Sequence, residues 1–223
     1  MSKHFSLSGR FTRRSFLRTG FIGGTALVIP QFVWPKQACA QGGTYNGQIS
    51  QSSDDCADNG TGAVLTQSTL KIYDKETLYI GLRFLDVTVP AGATITSATL
   101  TVDLVKASSS PDNIIQVYGV LEGNPLTFGV GESLDDRPRT STYTGWNTPT
   151  TTGVYGISAD TVGDGGSSLA TVIQQVVNQS TYASGNALAL IIDPNDAEIS
   201  PGGQIEAWDG SHANAAQLSI SYS

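Results

Sequence analysis

Cysteine and histidine are nearly absent, at two residues each in 223, and only 14% of the chain is charged. So few thiols exclude a disulfide-stapled miniprotein, and so few charges exclude a coiled coil. Basic residues are scarce beyond the N-terminus. Residues 1–40 hold six of the twelve Lys and Arg (Lys3, Arg10, Arg13, Arg14, Arg18, Lys36) and no acid, so residues 41–223 carry nineteen acids against six bases, a net charge of −13. That surface repels nucleic-acid phosphates and anionic lipid headgroups, which leaves neutral polymers, cations and other proteins as partners.

Long apolar runs are missing too. The best, Thr19 to Trp34, is sixteen residues interrupted by three glycines, a proline and a glutamine, short of the ~20 apolar residues of a spanning helix. Its surroundings read as an address. Thr12-Arg13-Arg14-Ser15-Phe16-Leu17-Arg18 has the form of a twin-arginine export signal, and Ala38-Cys39-Ala40 that of a small-residue cleavage site. The expectation is a signal peptide over 1–40, cleavage after Ala40, and a folded chain in the periplasm or outside the cell, with no membrane span retained. Acylation at Cys39 is disfavoured by Lys36, which stands where such sites usually hold an aliphatic residue. Cleavage leaves 183 residues, enough for one domain to bury about 70% of its unfolded surface without a staple. Cys56 is then alone and cannot form an intramolecular bridge; a buried inert thiol is the default for such a residue.

What remains over 41–223 is rich in alternation. Leu78, Ile80, Leu82 and Phe84 share one face, with Tyr79 and Arg83 on the other; Ala98, Leu100, Val102 and Leu104 share another. The same period runs through Ile115 and Val117, Leu188 to Ile192, Ile205 and Ala207, and Leu218 to Tyr222, with weaker strands near 45–52, 63–73, 139–146 and 152–158. Only Leu169, Val172, Ile173, Val176 and Val177 follow a helical period, behind serines that can cap. The expectation is an all-β, antiparallel two-sheet sandwich, jelly-roll-like, of eight to ten strands with one short α-helix near 168–178, and its longest loop at 122–138.

Several blocks carry a resemblance. Gly81-Leu82-Arg83-Phe84 leading to Val89-Pro90-Ala91-Gly92-Ala93-Thr94-Ile95, Arg137-Pro138-Arg139-Thr140 before Trp146, Ile173 to Asn178 before Ser184-Gly185-Asn186-Ala187-Leu188, and Glu206-Ala207-Trp208-Asp209-Gly210 occur in order across residues 47–222. This pattern resembles a family of bacterial secreted β-sandwich domains of unsettled function, similar in architecture to carbohydrate-binding and surface-adhesion modules. The resemblance implies a non-catalytic extracellular module and assigns no site.

The residues themselves offer little for catalysis. His212 is the one histidine left after the leader, it lies in a turn-like stretch, and no G-x-S-x-G elbow exists. One His and one Cys cannot close a zinc shell. Acids are plentiful, yet nothing marks two as a poised glycosidase pair. Asp54-Asp55-Cys56-Ala57-Asp58-Asn59-Gly60 offers hard oxygen ligands on an expected loop, and in a closed sandwich Asp54 and Asp55 would approach Glu206 and Asp209, a candidate structural calcium site; turn-forming Asp and Asn bonded to their own backbone are the plain alternative. Asp135 and Asp136 beside Arg137 and Arg139 read as an ion-pair loop, and Arg83 as a half-buried arginine paired with an acid. For sugar binding, exposed aromatic faces are the requirement. Trp208, Trp146 and Tyr143 are the candidates, Trp208 foremost because it sits beside Glu206 and Asp209.

Three functions follow: an exported binding module for a polysaccharide or other surface polymer, a structural or adhesive protein that self-assembles at the cell surface, and an unrecognised hydrolase. An exposed aromatic strip favours the first; an unpaired edge strand or apolar patch favours the second.

Overall fold

Alternating apolar and polar residues build the strands, and a computed structural model describes residues 42–72, 79–110, 113–194 and 202–223. The strands are β1 (Gly43–Gln48), β2 (Asp55–Asp58), β3 (Ala63–Val64), β4 (Thr69–Lys71), β5 (Tyr79–Phe84), β6 (Ile95–Lys106), β7 (Ile114–Gly119), β8 (Thr144–Asn147), β9 (Gly153–Ile157), β10 (Leu188–Asp193), β11 (Gln204–Glu206) and β12 (Gln217–Tyr222). Among the described residues a single α-helix, α1 (Leu169–Val177), lies between β9 and β10. The leader, its cleavage site and Leu78 lie outside the described residues.

Two antiparallel sheets form the expected sandwich. Sheet B runs β3-β2-β5-β10-β7-β8, and sheet A is centred on β6. One edge of β6 takes β12 and then β11, the opposite edge takes β9, and β1 and β4 extend the sheet through β12 and β11. The registers place like with like: Leu82 faces Leu190, Ile80 faces Ile192, and Ile192 faces Val117 in sheet B, while Leu218 faces Leu100 and Ile220 faces Ala98 in sheet A. Because cross-strand partners share a face, these rows meet between the sheets as one buried cluster. Each such Leu, Ile or Val contributes roughly 1.5–3 kcal/mol on burial.

The helix starts where Ser168 accepts a hydrogen bond from the Thr171 N–H on its side-chain oxygen at 3.3 Å, and Leu169, Val172, Ile173, Val176 and Val177 are buried against β6 and β7. Its β-branched stripe has modest intrinsic helix propensity, so packing holds it. Gln174 fixes its position by accepting from the Ile95 N–H (2.8 Å) and donating to the Ala93 carbonyl (2.9 Å).

Two segments depart from expectation. The stretch expected to be a ligand-bearing loop, 54–60, contains β2, an interior strand of sheet B paired with both β3 and β5. Its acids are tolerated because backbone donors meet them: Asp58 accepts from the Gly60 and Leu134 N–H groups at 2.8 and 2.9 Å. The long connection over 121–138 is not a free loop either. Phe128 and Leu134 fold back onto the outer face of sheet B and form a second buried cluster with Cys56, Ala63, Val120, Ala189 and Ile191. Tyr79 packs half-buried against this cluster, and at the β7–β8 end of the same face Asp160 and Val162 lie against Gly145 while Gln116 donates to Asp164.

Candidate ligand-binding surface

The four acids expected around calcium are not gathered into one shell. Asp54 lies on the outer side of sheet B, where its Oδ1 accepts from Arg83 at 2.6 Å and Arg83 also donates to the Pro125 carbonyl at 2.8 Å. Asp55 pairs with Leu82 and so points between the sheets, where its Oδ2 accepts from the Trp208 backbone N–H at 2.7 Å. Burial pushes the Asp55 carboxyl up to about 7, with Asp209 and Asp54 adding to the rise and the Trp208 bond opposing it. Asp209 is exposed and accepts from the Ser52 hydroxyl at 2.6 Å. Glu206 is raised by burial and by Asp103 rather than by the other three. Asp54 Oδ2 and Asp55 Oδ1 are buried without a hydrogen-bond partner. Among the described residues no group of three or more His, Cys, Asp or Glu converges to hold a metal.

The tryptophans do not form a platform. Trp146 is only 6% exposed, packed in the core with Tyr155 tilted beside it, so it cannot meet a ligand. Trp208 is half-buried against the core, and the His212 ring stacks on it at 3.8 Å and 10°. The imidazole therefore occupies one face of that indole. Tyr182 is also internal, its hydroxyl donating to the Val89 carbonyl at 3.0 Å. Cys56 is buried, and burial drives its thiol well above the ordinary range, so it is no nucleophile at neutral pH.

Tyr143 belongs to a different arrangement. On the outer face of sheet B, β5, β7 and the segment before β8 present Tyr79, Tyr118, Arg139 and Tyr143, all half-buried, in a row. The Arg139 guanidinium lies 4.2 Å from the Tyr79 ring centroid and 5.8 Å from that of Tyr118, and the Tyr118 and Tyr143 rings are 5.4 Å apart at 50°. Arg139 is held by Asp193 at 2.9 Å and Asp135 at 3.2 Å, so its charge is compensated in place. Polar partners line the row. Tyr118 donates to Gln116 (2.7 Å), Tyr143 to the Asp164 carbonyl (3.3 Å) and Tyr79 to Asp135 (3.0 Å). The phenol groups of Tyr79, Tyr118 and Tyr143 are all raised, chiefly by burial, with Asp135 and Asp193 adding at Tyr79, Asp193 at Tyr118 and Asp164 at Tyr143. They stay neutral hydroxyls.

Beyond Tyr79 the row opens into a cavity of about 330 Å³ lined by Asp58, Thr61, Tyr79, Gly131, Ser133 and Asp135, among others. Its wall is two turns in contact. Ala63 donates to the Glu132 carbonyl at 2.7 Å and Gly131 to the Ala63 carbonyl at 3.0 Å. Gly62, at φ 114°, abuts Gly131 so closely that a Cβ there would overlap its backbone.

Of the residues singled out in the sequence, Tyr143 falls on this surface, Trp208 is partly covered and Trp146 is internal. Tyr79, Tyr118 and Arg139 form the rest of the row. Their signal was the alternation that turns Tyr79 away from Ile80 and Leu82; nothing local distinguishes an outward aromatic left bare from one covered by a later loop. No protein-family model matches the chain, and no curated protein matches it.

Proposed function

We propose that this protein is an exported, non-catalytic binding module that holds a neutral, hydroxyl-rich polymer, a polysaccharide above all, on the outer face of sheet B. The observation that carries this reading is the row Tyr79, Arg139, Tyr118 and Tyr143, with carboxylate and amide acceptors along its length. Partly exposed aromatic rings offer faces to sugar C–H surfaces, while fixed acceptors orient hydroxyls. Charge favours a neutral ligand: the only guanidinium in the row is already paired with two carboxylates, and the chain beyond residue 40 is strongly acidic. Export rests on the twin-arginine pattern and the Ala38-Cys39-Ala40 site.

The test is affinity electrophoresis of the wild type and of Tyr118→Ala/Tyr143→Ala through gels containing xylan, mannan, laminarin, hydroxyethylcellulose or alginate. Retardation by at least one neutral polymer, lost in the double variant and weaker with alginate, is the expected result. Migration unchanged in every gel would remove the proposal.

A further inference from the structure

We infer that the cavity between the 58–62 and 129–135 turns is a socket for one neutral sugar ring, the anchoring subsite at the Tyr79 end of the row. The inference deepens the binding-module reading and rests on it. At about 330 Å³ the cavity lies at the lower end of the range that small-ligand sites occupy. It is also continuous with the row, because Tyr79 and Asp135 line the cavity and both touch Arg139.

The socket is rigid before any ligand arrives. Backbone hydrogen bonds tie its two turns together, and Gly62 and Gly131 meet back to back, so little ordering cost falls on binding. Its chemistry selects hydroxyl donors. An ionised carboxylate can accept about four hydrogen bonds; each oxygen of Asp58 receives one backbone N–H, from Gly60 and from Leu134, which leaves acceptor capacity toward the cavity. Asp135 takes the Tyr79 hydroxyl and Arg139 on one oxygen, Oδ1. Ser133 and Thr61 add hydroxyls that can donate or accept. The same two carboxylates repel an acidic sugar, and Arg139, the cation in contact with the socket's rim, is spent on Asp135 and Asp193.

The experiment is an amide chemical-shift map of the isotope-labelled protein titrated with glucose, galactose, mannose and xylose, and separately with sodium glucuronate at matched ionic strength. Saturating shifts confined to 58–62, 79 and 131–135 with at least one neutral sugar, and none with glucuronate, are expected. Ser133→Trp should abolish them; the wild-type map decides the question even if Ser133→Trp does not fold. No saturating shift at these amides, or an equal response to glucuronate, overturns the socket. If polymers still retard the protein in a Tyr118- and Tyr143-dependent way, the module reading survives that failure. If they do not, both fall.

Discussion

The Asp55 carboxylate accepts the Trp208 backbone N–H at 2.7 Å and so joins an interior strand of sheet B to the turn that follows β11 in sheet A. The bond holds a group whose charge is costly there. Burial, Asp209 and Asp54 raise its carboxyl from 3.8 to about 7, against the lowering effect of Trp208.

A carboxyl raised in the folded state binds a proton more readily there than in the unfolded chain. Its stabilising contribution is therefore complete below about pH 4 and is lost as pH rises toward 7, by an amount on the order of a few kcal/mol. Glu132 works in the opposite direction, since its hydrogen bond from Arg137 lowers it despite partial burial; its contribution is present above the ordinary 4.5 and lost as pH falls. Stability should therefore decline as pH rises from about 4 toward 7, with Glu132 contributing to an acid limb below its ordinary 4.5. Urea denaturation across this range measures it, and Asp55→Asn should flatten the decline above pH 5 while leaving the acid limb in place.

A second buried charge behaves differently. Asp54 is fully buried and Arg83 is 14% exposed at its side chain, so removing one partner strands the other away from water. Asp54→Ala should cost roughly 3–5 kcal/mol, and the double variant Asp54→Ala/Arg83→Met should recover much of that loss. Thermal and denaturant melts of the four-member cycle give the coupling. Simple additivity of the two single changes would show that the pair is not coupled.

Sheet positions were legible from alternation because a residue's face is set two positions at a time: Ile80, Leu82, Phe84 and Leu100, Val102, Leu104 are all internal, and the helix follows from its 3.6-residue spacing. β2 was not, because Asp55 and Asp58 look like turn formers until partners distant in sequence, Trp208 and Leu134, supply their hydrogen bonds. The same limit governed the site. Trp146 and Tyr118 are aromatic residues of neighbouring strands, but Trp146 faces Ile115 in the core, whereas Tyr118, between Val117 and Gly119, turns outward and is half-buried. The cover provided by Phe128 and Leu134 decides which outward positions stay partly exposed, and that is a tertiary fact.

Divalent cations test the division of the acids. With Asp54 committed to Arg83, Asp55 turned inward and Glu206 beside Asp103, calcium has no common shell of the four carboxylates to close. Calcium and magnesium at equal millimolar concentrations are expected to shift Tm alike, through screening of a net acidic surface. A rise specific to calcium, abolished in Asp54→Ala/Asp55→Ala, would instead place a bound ion there and would follow its occupancy logarithmically.

Gly119 sets how close α1 comes to sheet B. A Cβ at this position would meet Val176 Cγ2 at 2.6 Å, Thr140 Cγ2 at 3.1 Å and Val172 Cγ1 at 3.3 Å. Both valines are fully buried, so neither can swing aside into solvent, and the helix or the strand must shift. Gly119 also donates its N–H to the Thr140 hydroxyl at 3.1 Å and accepts from the Thr140 N–H at 2.9 Å, which restrains the strand side of the contact. Gly119→Ala should therefore destabilise by about 1–3 kcal/mol through overpacking, although alanine suits a strand better than glycine. Val176→Ala alone should cost about 1–3 kcal/mol by leaving a cavity. Combined, the added methyl occupies part of the space the valine vacates, so the double variant should be more stable than the sum of the two losses predicts. Denaturant melts of the four proteins measure the coupling, and strict additivity would show that the helix does not bear on Gly119.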